Sequence, residues 1–108
     1  NGLRKGILME INGTKNGEAL EVTLSGRLDT NTSPELESYL RENLAGIANL
    51  AIDLTDVQYV SSAGLRVFLY AHKELVKVGS GLVLRHPNEY ITDVLEATGF
   101  TEILTVEQ

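Results

Sequence analysis

The run LAIDLTDVQYVSSAGLRVFLYAHKELV, residues 50–76, passes from a strand to a helix. Its first five residues, Leu50-Ala51-Ile52-Asp53-Leu54, are nearly all apolar, as expected of a strand inside a parallel sheet. After Ser61-Ser62 the period changes. Leu65, Phe68, Leu69, His72, Leu75 and Val76 recur at helical spacing, so a helix starts at the serine pair. Gly79 is its natural left-handed cap, with Gly81 just beyond. Thr55 to Ala63 then reads as the loop between strand and helix.

The same reasoning extends in both directions. Upstream, Ile7 to Ile11 reads as a strand and Asn12 to Glu18 as a polar turn, with Asn16-Gly17 supplying positive φ. Leu20, Val22 and Leu24 alternate with Glu21 and Thr23, the period of a half-buried strand, so these two segments form a hairpin. Thr32-Ser33-Pro34-Glu35 has capping-box spacing and opens a helix whose stripe is Leu36, Tyr39, Leu40 and Leu44, ended by Gly46. Downstream, Leu82 to Arg85 is a strand. Pro87 starts a third helix with Ile91, Val94 and Leu95 inward, Gly99 ends it, and Ile103 to Val106 is the last strand. The expected fold is α/β, a mixed sheet with an N-terminal hairpin and the order β-β-α-β-α-β-α-β, as one domain over residues 7–108. Residues 1–6 are compatible with a tag remnant, a disordered or processed end, or a cut from a longer chain, and Met9 is the first natural start.

Composition removes whole classes of function. The 108 residues carry 9 Lys plus Arg against 15 Asp plus Glu, a net charge of −6. Nucleic acid and anionic membranes both require clustered positive charge, so neither is an expected partner. There is no cysteine and only two histidines, which leaves no thiolate chemistry and few metal ligands. No apolar run approaches the roughly 18 residues of a membrane span, and no signal-peptide pattern is present, so the cytoplasm is the default location. No cofactor is expected.

In open α/β sheets, partners meet the loops at the carboxyl ends of parallel strands. Two such loops are Ser25 to Asn31 and Thr55 to Ala63. If their strands lie side by side, Asp29, Thr30, Asp56, Ser61 and Ser62 gather at one edge. Ser61-Ser62 at a helix mouth has two compatible readings. One hydroxyl can cap the helix. The other can carry a phosphate, which the free N–H groups and the positive end of the helix dipole tolerate. A serine-hydrolase elbow would need glycine at position 60, where Val60 stands, and His72 lies too far along the helix to act as a base. A nucleotide loop lacks its Gly-Lys-Ser/Thr. Asp29, Asp53 and Asp56 are better explained as turn and strand-end residues than as ligands of a hard cation.

The fragments Leu24 to Asp29, Leu50 to Val57, Tyr59 to Val67 and Leu95 to Phe100, in this order and spacing, resemble the STAS domain. This is the module of bacterial anti-sigma factor antagonists and of sulfate-transporter tails, and the resemblance covers roughly residues 7–106. It implies a non-enzymatic protein switch. The unphosphorylated antagonist binds an anti-sigma factor and frees the sigma factor. That anti-sigma factor is often also a serine kinase, which inactivates the antagonist, and a PP2C-type phosphatase restores it. The family's acceptor is the hydroxyl two residues before the motif's glycine, here Ser62, and Asp29 matches an acidic loop residue beside it. Two positions depart from the pattern. Ser61 stands where an Asp commonly precedes the acceptor, and Ala63 where a second hydroxyl commonly follows. Ser61 thereby becomes a rival acceptor.

On this reading the second helix supplies the binding surface. Leu65, Phe68 and Leu69 pack inward, so Arg66, Val67 and Tyr70 point away and join Asp29, Thr30 and Ser61 as partner contacts, unless another helix covers them. Two other functions compete: a STAS domain that senses a ligand or scaffolds without phosphorylation, and a serine hydrolase using Ser62.

Overall fold

The computed structural model describes residues 9–108. Among the described residues, five strands and three α-helices follow the expected order. They are β1 (Met9–Asn16), β2 (Ala19–Leu28), α1 (Ser33–Asn43), β3 (Asn49–Val60), α2 (Ser62–Val76), β4 (Leu82–Arg85), α3 (Glu89–Ala97) and β5 (Thr105–Glu107). A 3-10 turn, Phe100–Glu102, links α3 to β5. The sheet order is β1-β2-β3-β4-β5, antiparallel at β1–β2 and parallel at every other pair.

Sequential parallel strands joined by right-handed crossovers put their helices on one face. The β2 pattern agrees, since Leu20, Val22 and Leu24 are buried while Glu21 and Thr23 are exposed. From the helices, Leu36, Leu40, Phe68, Leu75, Ile91 and Leu95 close the core at no more than 1% exposure. Burying side chains of this size contributes roughly 1.5–3 kcal/mol each, which offsets the entropy of ordering the chain.

Several boundaries differ from the sequence reading. Part of the strand expected at residues 7–11 lies outside the described residues. β1 continues through Asn12–Asn16, which reads as turn because its side chains are polar. Here the strand is held by eight paired positions with β2 and needs little apolar content. The turn itself is Gly17-Glu18, with positive φ at Gly17 alone. Gly13 within β1 lies under Tyr39, whose phenol occupies the space a side chain at 13 would take. β3 runs six residues past Leu54, through the segment read as a loop, because β2 remains beside it up to the Leu28–Val60 pair. Two register irregularities, between Thr23 and Ser25 and between Gly26 and Arg27, break the strict alternation there, and Gly26 adopts φ 111°. The capping box of α1 does not form, because the Thr32 hydroxyl is engaged elsewhere. Asn88, not Pro87, caps α3, its carboxamide oxygen accepting from the Ile91 N–H at 2.7 Å. His86, between β4 and Pro87, holds φ 57°.

Candidate functional site

The carboxyl ends of β2 and β3 lie side by side, with Leu28 paired to Val60. Asp29, Thr30, Ser61 and Ser62 therefore meet at one edge of the sheet. Asp56 does not join them. It is an exposed strand residue opposite Ser25, several positions before the end of β3. The cause is again the length of β3, which leaves only Ser61 between strand and helix.

The turn after β2 is built from its own hydroxyls and carboxylate. Asp29 Oδ1 accepts from the Asn31 N–H at 2.9 Å and the Thr32 N–H at 3.0 Å. Thr32 is 3% exposed; its hydroxyl donates to the Arg27 carbonyl at 2.7 Å and accepts from the Asp29 N–H at 2.9 Å. Ser33, 2% exposed, donates through its hydroxyl to the Asp29 carbonyl at 2.6 Å. The Thr32 N–H, then the Asn31 N–H and the Arg27 guanidinium, hold the Asp29 carboxyl below the usual carboxylate range against the opposing effect of partial burial. Asp29 is thus the keystone of its turn, with Thr30 exposed at the tip. Asp53 is similarly committed, accepting from the Thr55 hydroxyl at 2.6 Å and the Thr55 N–H at 2.9 Å.

This turn holds the start of α2. The Ser61 N–H donates to the Leu28 carbonyl at 2.8 Å. Ser61, in extended conformation, is the N-cap, its hydroxyl oxygen accepting from the Gly64 N–H at 3.4 Å. Ser62 is the first helical residue and is exposed. Gly64 lies against Leu28 so closely that a Cβ there would stand 2.8 Å from Leu28 Cγ and Cδ2 and 3.2 Å from its carbonyl oxygen. The two serines therefore differ physically. One caps and ties the helix to β2, while the other presents its side chain to solvent at the positive end of the helix dipole.

Along α2 the expected facing is corrected at two residues. Val67 is buried at 4% exposure rather than pointing away, so it is no direct partner contact, and Leu69 is only half-buried. The reason is α1, which packs beside α2 and widens its buried arc to Leu65, Val67, Phe68, Ala71 and Leu75. Tyr70 is also drawn into that contact. The Arg41 guanidinium of α1 lies over its ring at 4.4 Å, and Tyr70 lines a cleft of about 720 Å³ between the far ends of α1 and α2, with Leu44 and Val78. The residues left facing solvent are Ser62, Arg66, Leu69, Lys73 and Val76, one continuous stripe at helical spacing. Arg66 is exposed one turn beyond Ser62.

His72 is held in the structure of the α2–β4 junction. Its Nδ1 accepts from the Leu82 N–H at 3.1 Å. Ten residues of helix place it about 15 Å from Ser62, and no base approaches the serine from this side.

Sequence reasoning missed Thr32, Ser33 and an aromatic stack. The first two carried a signal, since Asp and Thr three apart match a side-chain-bonded turn. The stack did not. Arg27 lies over the Tyr59 ring at 4.4 Å, and Tyr59 stacks with Tyr90 of α3 at 6.1 Å between centroids. These three residues come from three separate elements.

Comparison with known proteins agrees with this architecture. A family model described as STAS domain matches residues 10–108. The chain is 30% identical over 92 residues to the anti-sigma-B factor antagonist of Bacillus subtilis, covering 85% of this chain and 84% of that protein. It is 33% identical over 90 residues to the anti-sigma-B factor antagonist of Listeria monocytogenes, covering 82% and 78%. The crystal structure of an anti-sigma factor antagonist from Mycobacterium paratuberculosis shares the fold, with a TM-score of 0.82 at 22% identity over 92% of this chain and 85% of that one. With a family match across essentially all the described residues and relatives at this level of identity, the chain belongs to the STAS domain family.

Proposed function

We propose that this chain is an anti-sigma factor antagonist switched by phosphorylation of Ser62. The observation that carries the reading is the division of labour at the helix mouth. Ser61 already provides the cap, so the exposed Ser62 hydroxyl can be modified without unmaking the helix. The names of the curated relatives support the anti-sigma partner. In this reading the partner is also the serine kinase, a PP2C-type phosphatase reverses the modification, and the cytoplasm is the place of action. The chain itself acts as a binding module and not as an enzyme, a reading supported by the commitment of His72 to the Leu82 N–H.

The switch follows from charge. The α2 stripe is basic at Arg66 and Lys73 and apolar at Leu69 and Val76. A partner surface complementary to it carries carboxylates and small apolar groups. A phosphate on Ser62 adds about −1.5 to −2 charges at the head of that stripe. Its own helix tolerates the anion, so the penalty falls on the interface. About 2.8 kcal/mol suffices for a hundredfold loss of affinity. Asp29 and Thr30, in the adjacent turn, and the part-buried Ser61 complete the contact region.

The test is capture of an anti-sigma factor by Ser62→Ala and Ser62→Asp proteins side by side, with the enzymatically phosphorylated protein as reference. Ser62→Ala should retain the partner and lose phosphate incorporation, and the phosphoprotein should not bind. Incorporation that survives in Ser62→Ala but vanishes in Ser61→Ala would move the acceptor. Absence of any phosphate in the presence of the captured kinase and ATP would end the proposal.

A further inference from the structure

We infer that the solvent face of α3, centred on Tyr90, is a second docking surface for a basic, arginine-bearing segment of the same protein partner. The inference rests on the antagonist reading above and extends it to a helix that reading does not use.

Tyr90 is 49% exposed, unusual for a large aromatic side chain, yet it is not loose. Its ring stacks on Tyr59 at 6.1 Å with the planes inclined by 16°, and Tyr59 is itself covered by Arg27 at 4.4 Å. The helix beneath is also anchored. The Asn88 carboxamide N–H groups reach the Val57 and Gln58 carbonyls of β3 at 3.3 and 3.5 Å. An exposed aromatic ring that is already ordered loses little entropy on binding, which is the character of interface anchors.

Charge identifies the occupant. The exposed residues around Tyr90 on α3 include Glu89, Asp93 and Glu96, and α3 contains no basic residue. A negative face with a free ring surface matches guanidinium groups, which stack on tyrosine and pair with carboxylates. The α2 stripe has the opposite sign at Arg66 and Lys73. A partner spanning both must present acidic groups to α2 and basic groups to α3, which fixes its orientation. The two surfaces are linked through Arg27, which contacts both Tyr59 and, at 4.0 Å, the Asp29 carboxylate of the switch turn. A phosphate on Ser62 would abolish the first contact and leave the second intact.

The probe is the purified anti-sigma factor retained by the Ser62→Ala protein, titrated calorimetrically at two salt concentrations against variants in that background. Tyr90→Ala should weaken binding by about 10–100-fold, and Tyr90→Phe, which keeps the stack, should stay within about threefold. The surface reversal Asp93→Lys with Glu96→Lys touches no core residue. It should weaken binding at least about tenfold and flatten the salt dependence. Glu10→Lys with Glu42→Lys, at two exposed positions on β1 and α1, changes net charge equally and should have little effect. Parent-like affinity in both the Tyr90→Ala and the α3 reversal proteins overturns the inference while leaving the antagonist reading standing. Failure of the Ser62→Ala protein to bind any anti-sigma factor overturns both.

Discussion

Gly64→Ala is a small change with a calculable outcome. A methyl at this position would lie 2.8 Å from Leu28 Cγ and Cδ2, about 0.6 Å inside the 3.4 Å at which ordinary contact begins, and 3.2 Å from the Leu28 carbonyl oxygen. Leu28 is 0% exposed, so its side chain has nowhere to swing. The Leu28 carbonyl also accepts the Ser61 N–H at 2.8 Å, so it cannot move without disturbing the cap. Helix propensity acts the other way, since replacing Gly by Ala in a helix gains up to about 1 kcal/mol. Overpacking a closed site costs about 1–3 kcal/mol. With a buried side chain and a fixed carbonyl both in the way, the cost falls at about 2–3 kcal/mol, the upper part of that range, so the clash should win by about 1–2 kcal/mol, and α2 should lift from β2 at its first turn. Thermal unfolding followed by circular dichroism should then show a Tm lower by roughly 5–15 °C. A double-mutant cycle sharpens the test. Leu28→Ala alone should cost about 2–5 kcal/mol, but adding Gly64→Ala to it should cost at least about 0.5 kcal/mol less than in the parent, because the side-chain clash has gone. A Tm equal to or above that of the parent, or strict additivity in the cycle, would refute the close-approach account.

Three further outcomes follow from the site. Thr32→Val keeps the shape but leaves the Arg27 carbonyl and the Asp29 N–H without their buried partner. It should lose about 2–3 kcal/mol in urea unfolding, whereas Thr32→Ser should recover most of that loss. Asp29 has its folded-state pKa lowered, so its contribution is present above the unfolded value near 4 and is lost as pH falls through the lower folded value. Asp29→Asn keeps the acceptor oxygen and should flatten the stability-versus-pH curve below about pH 4, while an unchanged acid limb would count against the turn-keystone role. Asn88→Ala removes the α3 cap and both ties to β3, and should cost about 1 kcal/mol or more. Amide exchange should rise across the first turn of α3, and undisturbed protection there would contradict the anchoring of Tyr90.

The legibility of this protein differs by element. α2 was readable because its apolar residues recur over four turns and Gly79 closes it. β4 is readable to the residue, since the apolar run Leu82-Val83-Leu84 with Arg85 sits between Gly81 and Pro87. β1 and the second half of β3 were not. Asn12 to Asn16 and Thr55 to Tyr59 have polar or mixed side chains, and what makes them strand is the backbone pairing with β2, a non-local partner that local composition does not register. The inward arc of α2 departs from the apolar periodicity at Val67 and Leu69 for a related reason. A helical wheel finds the centre of an apolar face, but its width depends on which neighbour packs alongside, here α1.

The order of elements, the opening of a helix at Ser61-Ser62, the net charge of −6 and the family resemblance are all legible along the linear chain. These depend on local periodicity, on capping chemistry and on counts, all of which are linear properties of a chain. Only the tertiary structure separated the two serines. Ser61 became a cap and a tether because the Leu28 carbonyl and the Gly64 N–H converge on it, while Ser62 faces solvent. Only the tertiary structure, too, assembled Arg27, Tyr59 and Tyr90 into one surface. Residues drawn from β2, β3 and α3 share no spacing in the sequence, and their stacking energy exists only after the sheet has aligned the strands and Asn88 has fastened α3 to β3.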